Sequence, residues 1–123
     1  MDKAERSLKS AKILLAEDDA HGACNRAYYA MFDAARAALL ASVAPVSANV
    51  ARTHNGLISA FSLHLVKTGR VSVDLGRSLN RAEEIRLIAD YTGDTLEPEQ
   101  TMWVVEQAER FVQAMRAEFM ENP

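Results

Sequence analysis

Apolar residues recur at three- and four-residue intervals along almost the whole chain, and no run of alternating β-branched residues interrupts them. The pattern therefore predicts an all-α protein. A first helix is expected over about Asp2–Glu17, with Ala4, Leu8, Ala11 and Leu15 on one face and Lys3, Lys9 and Lys12 mostly outside. Glu17-Asp18-Asp19 breaks it. A second helix, about Ala20–Val43, has a bulky face of Tyr28, Met31, Phe32, Ala35 and Leu39. Its other face is small, with Ala27, Ala30, Ala34, Ala37 and Ala41, and allows a close helix approach. That helix is expected to be central to the bundle or to form part of a dimer seam.

Pro45 and the region of Ser47 and Asn49 interrupt the pattern. A third helix then opens at Ala48 or Asn49 and runs to about Lys67, with Leu57, Ile58, Phe61 and Leu65 inward and Gly69 as its stop. Ser72 is the expected N-cap of a fourth helix reaching about Tyr91, followed by a loop at Thr92-Gly93-Asp94-Thr95. Glu97-Pro98-Glu99 has the composition of a helix start, with proline in the first turn and acids at the positive end of the dipole. The last helix carries Val104, Ala108, Phe111, Met115 and Phe119 on one face. No repeat or linker divides the chain, so residues 1–123 are expected to form one domain of about five helices.

One stripe breaks the apolar rule. At about 100° per residue, Arg86 falls in line with Leu75, Leu79 and Ala82, and Asp90 follows one turn later. The i to i+4 spacing lets Arg86 and Asp90 pair along a helix face. A partly buried structural ion pair is the simplest interpretation, yet such a pair is often no better than an apolar replacement, so its place on a core stripe also points to function. Tyr91 adds a neighbouring hydroxyl.

Composition narrows the chemistry. The 123 residues carry 14 Lys and Arg against 17 Asp and Glu, a formal net charge of −3, so no global basic field attracts nucleic acid and any RNA contact needs a local cluster. A single cysteine, Cys24, rules out an internal disulfide and a cysteine-based zinc cluster, in keeping with a cytoplasmic setting. Met1–Glu5 is charged, and no window approaches the ~18 apolar residues of a membrane span, so neither secretion nor membrane insertion is expected. Metal spacing, Gly-rich phosphate loops and nucleophile motifs are all missing from the sequence, so neither a metal nor a cofactor is expected.

His54 lies seven residues before Phe61 and hence on the apolar stripe of the third helix. It suits either a hydrogen-bonded core histidine or a general acid/base that titrates near neutral pH. Arg52, two residues away, points to another side. On the second helix Asn25 and Tyr29 share a flank suited to a nucleotide or to a neighbouring helix. Arg26 and Asp33 read as a solvated pair, and Tyr28 and Phe32 as core.

Three blocks, Asn25-Arg26-Ala27-Tyr28-Tyr29-Ala30-Met31-Phe32 with the following Ala34–Leu40, Arg52-Thr53-His54-Asn55-Gly56-Leu57-Ile58, and Arg86-Leu87-Ile88-Ala89-Asp90-Tyr91, together resemble the small bacterial and archaeal HEPN (higher eukaryotes and prokaryotes nucleotide-binding) proteins. The resemblance spans nearly the whole chain. It implies an up-and-down helical bundle that forms a homodimer, often paired with a minimal nucleotidyltransferase as toxin and antitoxin. Many such proteins are metal-independent ribonucleases, whose signature is an arginine four to six residues ahead of a histidine and whose cleavage uses the 2′-hydroxyl of RNA.

This chain departs from that signature: Asp90 and Tyr91 follow Arg86, and no histidine occurs later. An aspartate beside an arginine is a poor proton donor at neutral pH. The expectation is therefore an RNA- or nucleotide-binding toxin/antitoxin component in which Arg86 contacts phosphate, Asp90 orients it and His54 supplies acid/base chemistry. Asn25, Tyr29 and Tyr91 are expected around the same pocket. The contrasting expectation is a non-catalytic helical module that binds a nucleotidyltransferase, with Arg86 and Asp90 fixing helix packing.

Overall fold

A computed structural model describes residues 1–43, 45–92 and 96–120. Its α-helices are α1 (Asp2–Ala16), α2 (Ala20–Ala41), α3 (Ala48–Arg52), α4 (His54–Phe61), α5 (Val73–Thr92) and α6 (Pro98–Met115). Single π-helical turns continue α4 over Ser62–Val66 and α6 over Arg116–Met120. The molecule is an all-α bundle. Among the described residues there is no strand, and no helix is long and apolar enough to cross a membrane.

Each boundary has a local cause. Asp18 adopts a left-handed backbone (φ 62°), which turns the chain after α1, and Asp19 then caps α2 by accepting from the Gly22 N–H at 2.9 Å. Gly69 (φ 83°) ends the turn after α4, where a side chain would be strained. Ser72 caps α5 as expected, its hydroxyl accepting from the Leu75 N–H. At α6 the Gln100 side chain accepts from the Glu97 N–H, and proline occupies the first turn. Of the expected 92–95 loop, residues 93–95 lie outside the described residues.

The long third helix expected from the periodicity is broken. Thr53 has extended backbone (φ −87°, ψ 149°), and its hydroxyl accepts from the Gly56 N–H at 3.0 Å, so a new helix starts at His54. A Cβ on Gly56 would clash with the Val50 carbonyl oxygen and lie 2.5 Å from the Thr53 hydroxyl. Glycine is thus needed for α3 to fold back so tightly onto α4.

The central position expected for α2 is observed, since it packs against α1, α4, α5 and α6. Both its faces are used. Tyr28, Met31 and Ala35 are fully buried, with Phe32 and Leu39 nearly so, and Ala27, Ala30 and Ala34 are equally buried inside the same chain. Small residues on one side and large ones on the other let one helix serve several neighbours at different separations. On α6, Val104, Ala108, Phe111 and Met115 are buried, and the Phe111 ring meets Phe61 at 5.5 Å between centroids.

Candidate functional site

The break at Thr53 places His54 in the first turn of α4, against three aromatic rings of α2. Its ring centroid lies 4.8 Å from Phe32, 5.5 Å from Tyr28 and 5.7 Å from Tyr29. The buried Tyr28 hydroxyl joins three helices, lying 2.8 Å from His54 Nδ1 on α4 and 3.1 Å from Glu83 Oε2 on α5.

Proton bookkeeping fixes the histidine tautomer. A hydroxyl has one proton and an ionised carboxylate only accepts, so Tyr28 donates to Glu83 and His54 Nδ1–H donates to the Tyr28 oxygen. The Nε2 lone pair is then left for a ligand. Burial, reinforced by the positive charges of Arg86 and Arg36 and opposed by Glu83, lowers the His54 pKa from 6.5 and keeps the ring neutral at physiological pH. Burial and the negative charge of Glu83 raise the Tyr28 pKa, so the phenol keeps its proton. This is the arrangement of a general base whose orientation is held by a second and a third group.

Arg86 stands behind these residues. Its guanidinium carbon is 4.8 Å from the Tyr28 ring centroid and 5.9 Å from that of Tyr29. Its Nη1 bonds Asp90 Oδ2 at 3.0 Å, the i to i+4 pair read from the spacing, and its Nε is buried without a hydrogen-bond partner among the described residues. Arg86 is 9% exposed and Tyr91 83%. Cys24, also buried, feels the same pair: burial and Asp90 push its thiol up to about 11, against the opposing influence of Arg86. That thiol is inert at neutral pH.

In front of His54 lies a pocket of about 360 Å³, lined by Lys3 and Ser7 of α1, Arg26, Tyr29, Phe32, Asp33 and Arg36 of α2, Arg52 of α3, and His54 itself. Lys3, Arg26, Arg36 and Arg52 make this a local basic cluster in a chain of net negative charge. Helical spacing alone puts Lys3 on the outside, Arg52 on a side away from His54, and Arg26 in a solvated pair with Asp33. Instead Asp33 pairs with Arg36 at 3.7 Å, and the Arg26 guanidinium lies 5.8 Å from the Tyr29 ring centroid.

Of the residues proposed from sequence, the pocket takes His54 and Tyr29. Arg86 and Asp90 sit behind it, and Asn25 and Tyr91 are not among the residues that line it. Glu83, Arg36 and Lys3 were not singled out. A signal existed for two of them: Arg26, Tyr29, Asp33 and Arg36 recur at helical spacing, as do Glu83, Arg86 and Asp90. Among the described residues no three His, Cys, Asp or Glu side chains gather in a way that suits a metal ion.

The HEPN domain family model matches residues 1–118. The chain belongs to the HEPN family. Relatives within reach of its sequence include a UPF0332 protein of Gloeobacter violaceus, 39% identical over 116 residues that cover 92% of this chain and 87% of the relative. A UPF0332 protein of Thermotoga maritima is 38% identical and covers 92% and 83%. A Methanocaldococcus jannaschii protein whose name proposes it as a toxin is 34% identical over 114 residues, covering 92% and 81%. In this HEPN chain Arg86 of the third block and His54 of the second both contact Tyr28.

Proposed function

We propose that this HEPN protein is the toxin-side component of a toxin/antitoxin pair and a metal-independent endoribonuclease, with His54 as the base. The observation that carries this reading is the hydrogen-bonded series His54, Tyr28, Glu83, which engages Nδ1 of a histidine that lines a pocket rich in Lys and Arg. Kinship with a relative named as a proposed toxin supports the biological setting.

In the proposed step, His54 Nε2 takes the proton of a ribose 2′-hydroxyl and the 2′-oxygen bonds to phosphorus. The bond from phosphorus to the 5′-oxygen breaks, and the leaving oxygen takes a proton from solvent. The products are a 2′,3′-cyclic phosphate and a 5′-hydroxyl end. Lys3, Arg26, Arg36 and Arg52 hold the phosphate charge. Arg86 keeps Tyr28 and His54 in place from behind, a positioning role supported by its burial. A homodimer and a minimal nucleotidyltransferase partner complete the proposal. Ile88 and Tyr91, exposed one turn apart on α5, offer apolar surface for either contact.

The test is cleavage of a labelled single-stranded RNA of mixed sequence in the presence of a chelator. His54→Ala is expected to reduce cleavage by ~10² or more. Tyr28→Phe keeps the ring and is expected to give a smaller loss, because Nδ1 loses its partner. Full activity in His54→Ala overturns the assignment.

A further inference from the structure

Within the pocket, Asp33 is the residue that binding of an anion alone does not explain. Its side chain is 9% exposed in a pocket whose other charged lining residues are Lys3, Arg26, Arg36 and Arg52. Among the described residues its only polar partner is Arg36, at 3.7 Å, near the outer limit of an ion pair. A carboxylate so placed repels phosphate and retains acceptor capacity, so the ligand must bring a donor to it.

Order along α2 identifies that donor. Tyr29, Asp33 and Arg36 follow one another on one face, an aromatic ring, an acceptor and a cation, about 6 Å and then about 4.5 Å apart along the axis. A nucleotide presents a base, a ribose and a phosphate in the same order. Bases stack on aromatic rings, phosphates take Arg and Lys, and a ribose donates its hydroxyls. A pocket of about 360 Å³ suits one such unit.

We infer that the pocket holds one ribonucleotide unit, with its base on Tyr29, its 5′-phosphate on the surrounding cations and its ribose 2′-hydroxyl donating to Asp33, which makes Asp33 the residue that selects RNA over DNA. In the proposed cleavage this is the unit whose 5′-oxygen leaves, so the 2′-hydroxyl that gives its proton to His54 belongs to the preceding nucleotide. This rests on the proposed reading of the site as an RNA site. The 2′-hydroxyl is the only group that distinguishes the two sugars, and a hydrogen bond to a charged acceptor separates ligands with and without it by about tenfold.

Binding of AMP, dAMP, GMP and dGMP, measured by titration calorimetry at low ionic strength, tests the inference. These mononucleotides have no internucleotide bond to cut, so the result is independent of whether the protein cleaves RNA. Wild-type protein is expected to bind each ribonucleotide about tenfold more tightly than its deoxy form. In Asp33→Ala the two should converge through weaker ribonucleotide binding. Equal affinity of ribo and deoxy forms in the wild-type protein overturns the inference without need of any variant. So does binding of none of the four, or a preference for GMP and dGMP alike, which would put a guanine edge at Asp33. If Asp33→Ala is folded by circular dichroism and keeps the full ribose preference, the role given to Asp33 fails.

Discussion

The guanidinium of Arg86 lies against the ring of Tyr28, 4.8 Å from its centroid, while the hydroxyl of the same ring holds His54. Arg86 and His54 therefore act on each other through one aromatic side chain.

Removing either partner of the Arg86–Asp90 pair should have unequal effects. Arg86→Ala deletes a buried side chain packed on two rings and is expected to cost about 2 kcal/mol. The Asp90 side chain is 39% exposed, so Asp90→Ala should cost less, about 0.5–1 kcal/mol. Urea unfolding of the two variants measures the difference, and a costlier Asp90→Ala would refute it. Arg86→Met keeps much of the packing and removes the charge, so the His54 pKa should rise; an NMR titration of the imidazole follows this directly.

Gly56→Ala should damage the site through the backbone. The added methyl meets the Val50 carbonyl and the Thr53 hydroxyl, neither of which can move without opening the turn between α3 and α4. A loss of about 1–3 kcal/mol is expected, together with weaker contact between His54 and Tyr28. Thermal melts and the imidazole chemical shifts report the two effects separately, and an unperturbed variant would show that the turn accommodates a side chain.

The lowered pKa of His54 makes stability depend on pH in a defined sense. Near 6.5 the unfolded chain binds more protons at this position than the folded one, so stability rises with pH there. The contribution is complete above 6.5 and is lost progressively as pH falls through the lower folded value. Comparing urea midpoints of wild-type protein and His54→Ala between pH 7.5 and pH 5 isolates it. The wild-type protein should lose more stability on acidification, and parallel losses would contradict the shift.

Helix positions and core faces were legible because burial follows helical periodicity: α1, α2 and α5 begin and end within two residues of where their caps and breakers put them, and α6 begins at its expected proline. The break at Thr53 was not. Apolar spacing runs through it, and the deciding contacts, a threonine hydroxyl on the Gly56 N–H and a glycine without room for Cβ, leave no mark on the pattern.

The pocket was hidden for a different reason. Residues seven apart on a helix share a direction but stand about 10 Å apart along the axis, whereas residues three apart are neighbours. That is why Asp33 turns to Arg36 and leaves Arg26 to the ring of Tyr29. The meeting of Tyr28, His54 and Glu83 spans 26 and 55 positions of sequence, and only the packing of three helices creates it.

Arg26, Tyr29, Asp33 and Arg36 ride on the same helix whose other residues, Tyr28, Met31 and Ala35, are wholly interior. The dimensions of the pocket wall are thereby set by helical pitch and not by loop conformation. Changing what the protein accepts can proceed by exchanging side chains along this wall. Changing how far apart those side chains stand requires disturbing the helix that holds the molecule together, so ligand preference can drift while the spacing of the wall stays under the same constraint as the fold.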